Sequence, residues 1–157
     1  MKYNPMEAKM ELIFRKIDTE NPADIADFNE LMDDLTHHAH DQALLLEKIK
    51  KINARKDAYL LVAEDAETGK LCGSTMAITF DDFCDDCKPL MIIENVVVHH
   101  DYRQKGVGRR MFAAIEDWGR SQNVNYGILC SGMNRLEAHQ FYHNIGYEEV
   151  KGFKKYL

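Results

Sequence analysis

The stretch Val96-Val97-Val98-His99-His100-Asp101-Tyr102-Arg103-Gln104-Lys105-Gly106-Val107-Gly108-Arg109-Arg110 gathers residue types suited to holding an anion. It passes from an apolar run through a tight turn into a helical pattern. A helix N-terminus leaves backbone N–H groups unpaired and carries partial positive charge, which suits a phosphate. Gly106 and Gly108 remove side chains where a phosphate would approach the backbone, and Arg103, Lys105, Arg109 and Arg110 bring positive charge to the turn. Together these features favour a pyrophosphate site, whereas an isolated G-x-G reads only as strand-to-helix geometry. The dinucleotide fingerprint is excluded because its third glycine is absent after Arg109-Arg110. A Walker A loop is excluded because no G-K-[ST] follows.

Other side chains could carry chemistry, and each has a plainer reading. Tyr142 beside Phe141 has the position of a core aromatic on an amphipathic helix. Glu94, two residues before Val96, fits a general base, a ligand for a substrate ammonium, or a salt-bridged structural residue. His99 and His100 read as surface residues. The His37, His38 and His40 group reads as a solvated or substrate-lining segment, since no carboxylate at metal-ligand spacing accompanies it. Cys84-x-x-Cys87 has no second C-x-x-C and lies among Asp81, Asp82, Asp85 and Asp86, so a polar loop is favoured over a zinc site. A reversible disulfide across that loop stays open. Cys130 reads as packed.

The elements that must position these groups follow from periodicity. Residues 10–17 alternate apolar and polar side chains as a first strand; Asn21-Pro22 breaks the chain, and Asp24 starts a helix with Ile25, Phe28, Leu31, Met32 and Leu35 on one face. A second helix carries Leu45, Leu46, Ile49 and Ile52. Strands are expected over residues 58–63 and 71–80, joined by a turn at residues 67–70. An acidic loop over residues 81–88 precedes the most apolar strand, residues 90–99, which should be central and covered on both faces. Gly106 opens a helix with Val107, Met111, Ile115 and Trp118 on one side; a strand over residues 126–130, a helix over 135–144 and a closing strand or strands over 147–156 complete the chain. The order implies a mixed sheet in an α/β domain spanning residues 1–157 as a single unit.

Composition bounds the function. At 157 residues and 45% hydrophobic, the chain has room for one substantial core. A net charge of −6 argues against a nucleic-acid partner. The opening MKYNPMEAKM lacks a signal-peptide core, and no apolar run reaches the length of a membrane span. A soluble cytoplasmic protein with reduced thiols is therefore expected.

Arg103-x-x-Gly106-x-Gly108, preceded by Ile93-Glu94-Asn95-Val96-Val97-Val98, resembles the acetyl-CoA-binding motif of the GNAT acyltransferase superfamily. Asn134 and Ala138-His139-Gln140-Phe141-Tyr142-x-x-x-Gly146-Tyr147 resemble its second motif. The resemblance implies a central mixed sheet flanked by about four helices. In this fold the central strand is bulged and splays from its neighbour, leaving a cleft for the pantetheine arm. It implies backbone pairing of Val96, Val97 and Val98 with pantetheine. The N–H groups of Gln104, Lys105, Gly106, Val107, Gly108 and Arg109 would hold the pyrophosphate, and Asn134 would bond pantetheine or a water. Tyr142 matches the family's acid for the leaving thiolate, and Glu94 lies where related enzymes often place a carboxylate.

The implied activity is N-acetylation of an amine by acetyl-CoA as co-substrate, by direct attack in a ternary complex, with no metal. Glu94, Asp33 and Asp34 with the acidic balance lean towards a small cationic amine. A protein N-terminus or lysine as acceptor, a non-catalytic acyl-CoA sensor, and a homodimeric assembly stay open.

Overall fold

The computed structural model describes residues 10–157; most of the opening stretch read for a signal peptide lies outside them. The elements are β1 (Leu12–Lys16), α1 (Pro22–Thr36), α2 (Gln42–Asn53), β2 (Ala58–Asp65), β3 (Leu71–Phe80), β4 (Leu90–Val98), α3 (Val107–Ser121), β5 (Gly127–Leu129) and α4 (Leu136–Asn144). Short 3-10 turns cover Asp85–Cys87 and His100–Tyr102.

Local chemistry sets the helix starts. The Asn21 side chain accepts from the Ala23 N–H at 3.1 Å, and Pro22 fills the first helical position, where a missing N–H costs nothing. The helix therefore begins two residues before Asp24. Asp41 caps α2 through Leu44 N–H at 2.9 Å. Gly106 caps α3 with a backbone φ of +79°, in the left-handed region open to glycine.

The sheet order is β1-β2-β3-β4-β5, antiparallel except for the parallel β4–β5 pair. Helices α1 and α2 cover one face, where Ile25, Phe28, Leu31, Leu45 and Ile49 pack on Leu60, Val62 and Val97. Helix α3 covers the other with Met111, Phe112 and Ile115 against Leu61, Ala77, Met91 and Ile93. The aromatic side of α4, Phe141 and Tyr142, joins this second cluster. Alternation along β4 explains how one strand feeds both cores.

The expected closing strand is absent: residues 147–157 form no strand, and Val150, Phe153 and Tyr156 are 67%, 89% and 85% exposed. Tyr147, Val150, Phe153 and Tyr156 recur every third residue, so a strand's two-residue repeat cannot put them on one face. No helix is long and apolar enough to cross a membrane among the described residues.

Candidate active site

Strand β4 carries the opening of the sheet. Met76 of β3 pairs with Glu94, but Ser74 pairs with Val97, so Asn95 and Val96 together oppose Thr75. This is a β-bulge, and Asn95 takes a φ of +54° within it, a conformation asparagine tolerates better than most residues. On the other side, β5 pairs only with Met91, Ile92 and Ile93. Beyond Ile93 the two parallel strands part, and the residues from Glu94 to Val98 face the gap with no strand partner there. An open sheet edge of this kind accepts an extended amide chain through main-chain hydrogen bonds.

The turn after β4 ends beside this gap. Gln104 and Gly106 both have positive φ, +61° and +79°, and Gln104, Lys105 and Gly106 are exposed. The first intrahelical bond of α3 runs from Arg110 N–H to Gly106 C=O at 3.2 Å. The N–H groups of Val107, Gly108 and Arg109 thus precede the ladder and are available to an anion. A branched side chain at Gly106 would be forced into the left-handed region, at a cost of about 1–2 kcal/mol. We expect Gly106→Val to weaken CoA binding at least about tenfold in calorimetric titration of the folded variant; unchanged affinity would refute this turn as the phosphate cradle.

Gly108 has a different duty. A Cβ there would lie 3.2 Å from Phe141 Cζ and 3.6 Å from Val98 Cγ2, so its bare backbone lets α4 close on α3 and β4. The cations of the turn are also partly committed. Arg103 Nε donates to Val98 C=O at 3.1 Å, Arg109 to the C-terminal carbonyl of α4 at Asn144, and Arg110 to Met10 C=O at 2.7 Å. Lys105 sits over the Tyr102 ring at 5.4 Å. These side chains fasten the turn as well as charging it.

Tyr142 projects from α4 into an aromatic group with Phe112, Phe141 and Tyr147, at centroid separations of 5.5–6.2 Å. Burial raises its pKa above the ordinary 10; the Glu94 charge adds to this and Arg135 opposes it. The phenol therefore stays protonated at neutral pH and feels the charge of the Glu94 carboxylate. Tyr147 OH donates to Glu116 Oε1 at 3.2 Å and is committed to structure. Asn134 is exposed just before α4. Ser131, two residues past β5, has a shielded Oγ with no partner among the described residues. Sequence reasoning passed over Ser131, because a serine after a strand carries no signal without knowledge of its burial.

Two expectations are corrected. His99 is 1% exposed rather than on the surface: its Nε2 lies 2.8 Å from Glu30 Oε1 on α1, a partner 69 residues away. His100 does remain exposed, with its backbone N–H and Nδ1 both on Asp34. Cys130 is exposed, because β5 ends one residue earlier. Helix α1 ends at His37, whose φ is +57°. Asn29 holds the following loop through both the N–H and C=O of His40, which leaves the histidine segment on the surface. Cys84 and Cys87 are both exposed free thiols.

The Asp34 bond raises the His100 pKa above 6.5. The stability from this pair is accordingly complete below about pH 6.5 and is lost as pH rises through the folded-state value. NMR titration should place His100 above 6.5 and show Asp34→Asn bringing it back down.

A bulged central strand, a gap beside a short parallel strand and a helix N-terminus after it match the architecture that the resemblance to acyltransferases implies. A sequence profile of the acetyltransferase (GNAT) family matches residues 24–147, and the chain belongs to that family. It is 30% identical over 120 residues to glucosamine 6-phosphate N-acetyltransferase 1 of Dictyostelium discoideum, covering 72% of this chain and 76% of that protein. A GNAT family acetyltransferase from Staphylococcus aureus superposes with a TM-score of 0.78 at 26% identity, covering 94% of this chain and 100% of the other. Glucosamine-6-phosphate N-acetyltransferase from Arabidopsis thaliana shares the fold with a TM-score of 0.77 at 23% identity, over 93% and 98% of the two chains.

Proposed function

We propose that this acetyltransferase, working as a single domain in the cytoplasm, moves the acetyl group of acetyl-CoA directly onto a small primary amine. The observation that carries the reading is the bulged β4 edge, which in this reading opens between the cradle of α3 and the half-buried phenol of Tyr142. In this reading Val96, Val97 and Val98 pair with the pantetheine arm, and the N–H groups of residues 104–109 hold the pyrophosphate. Ser131 and Asn134 line the far wall. The unpartnered Ser131 Oγ supports the fit, because a shielded hydroxyl gains from a ligand amide.

The reaction requires a neutral amine, a polarised thioester carbonyl and a protonated leaving group. Glu94 takes the proton from the ammonium, directly or through water. A backbone N–H near Val96 polarises the carbonyl. The C–N bond forms as the C–S bond breaks; Tyr142 gives its proton to the departing thiolate, and the second proton shed by the amine nitrogen restores the phenol. The acceptor is a small cationic amine; amino sugars lead the choice because the Dictyostelium relative is a glucosamine 6-phosphate N-acetyltransferase. Thiol release from acetyl-CoA should be followed with glucosamine 6-phosphate, an aminoglycoside, a polyamine and peptide amines. Turnover with a small amine is expected. Tight acetyl-CoA binding with no turnover across the panel would make the domain a binder instead.

A further inference from the structure

The buried His99 is not used by the reaction described above, yet it stands where β4 hands over to the cofactor turn. Its Nδ1 accepts from the Asp101 backbone N–H at 3.2 Å, capping the His100–Tyr102 turn. A ring nitrogen that accepts from an N–H must hold a lone pair, so the proton belongs on Nε2. That Nε2–H donates to Glu30 Oε1 at 2.8 Å. Lys70 Nζ is 3.3 Å from the same nitrogen, but two donors cannot bond each other. The ammonium instead pairs with Glu30 Oε2 at 3.1 Å.

The Glu30 carboxylate is held below its ordinary pKa, by the His99 bond first and Lys70 second. His99 also stacks on His100, ring centroids 4.1 Å apart, and His100 is held by Asp34. Glu30 and Asp34 are four apart on α1 and share one face. Helix α1 thus grips both imidazoles, and His100 stands six residues of chain before Gly106. Ligand atoms of Asp34, His99 and His100 do lie within 4.8 Å of one another. A dication there would have to displace a bond that one His99 nitrogen already makes, to Glu30 or to Asp101 N–H, so the arrangement suits a fixed tautomer.

We propose that His99 is a positioning residue for acetyl transfer: Glu30 fixes its proton on Nε2, leaving Nδ1 to hold Asp101 N–H and with it the start of the cofactor turn. This rests on residues 104–109 being the phosphate cradle. In the wrong tautomer, Nδ1–H would confront Asp101 N–H, and the turn would lose its cap.

The test uses Glu30, which is 44% exposed and can be changed without opening the core. Two-bond proton–nitrogen NMR spectra of the imidazoles should show His99 protonated on Nε2 in the native protein. In Glu30→Ala the Nδ1–H form should appear. The acetyl-CoA KM should rise about tenfold while kcat at saturation stays within about twofold. Glu30→Gln, which keeps an acceptor oxygen, should restore both the tautomer and KM. A native His99 protonated on Nδ1 would overturn the proposal, as would a tautomer change in Glu30→Ala with no change in KM. If Gly106→Val also leaves CoA affinity unmoved, the cradle assignment itself fails, which separates the two ideas.

Discussion

Replacing Tyr142 with phenylalanine should lower turnover about 100-fold while acetyl-CoA affinity and thermal stability hardly change. The ring packs against Phe112, Phe141 and Tyr147, and phenylalanine keeps those contacts. In the proposed mechanism the removed hydroxyl is the proton donor to the leaving thiolate. Because burial holds the phenol above its ordinary pKa of 10, the native acid stays protonated throughout the neutral range. Loss of an alkaline limb is therefore not expected near pH 8; the loss of rate should be uniform with pH there. Single-turnover measurements under chemistry-limited conditions give the decisive number, and wild-type rates in the variant would remove the hydroxyl from the mechanism.

Glu94→Gln should produce the second large effect, in a form that reveals the role of the carboxylate. The amide keeps size and hydrogen-bonding reach but cannot accept a proton from an ammonium. If Glu94 is the base, kcat should fall about 100-fold and the acidic limb of the rate profile should vanish. If it only holds the ammonium, the amine KM should rise with kcat nearly intact. The side chain is exposed at the gap and its charge reaches Tyr142, so the variant should also lower the Tyr142 pKa slightly. If neither kinetic parameter moves, Glu94 is structural.

The sheet and helices were legible because their signals are local. The period of α3 and the Asn21-Pro22 break needed no distant information, and Gly106 in the Arg103-x-x-Gly106-x-Gly108 turn marked the start of α3. What escaped depends on partners far along the chain. His99 is buried because Glu30 and Lys70, 69 and 29 residues away, come to meet it. Gly108 looked like clearance for a phosphate, but its space is taken by Phe141 of α4. The tail misled for another reason: its aromatic and aliphatic residues suit a strand one by one, while their three-residue spacing denies them a common face.

The bulge at Asn95 has an evolutionary reading. Glu94 pairs with Met76 and Val97 with Ser74, so removing Asn95 alone would leave Val96 opposite Thr75 in an unbroken ladder. Ile93 and Val96 would keep facing α3, and Val97 would keep facing α1. On the proposed mechanism, loss of one codon would thus straighten β4 and remove the edge that takes the pantetheine arm, and gain of the same codon would run the path in reverse.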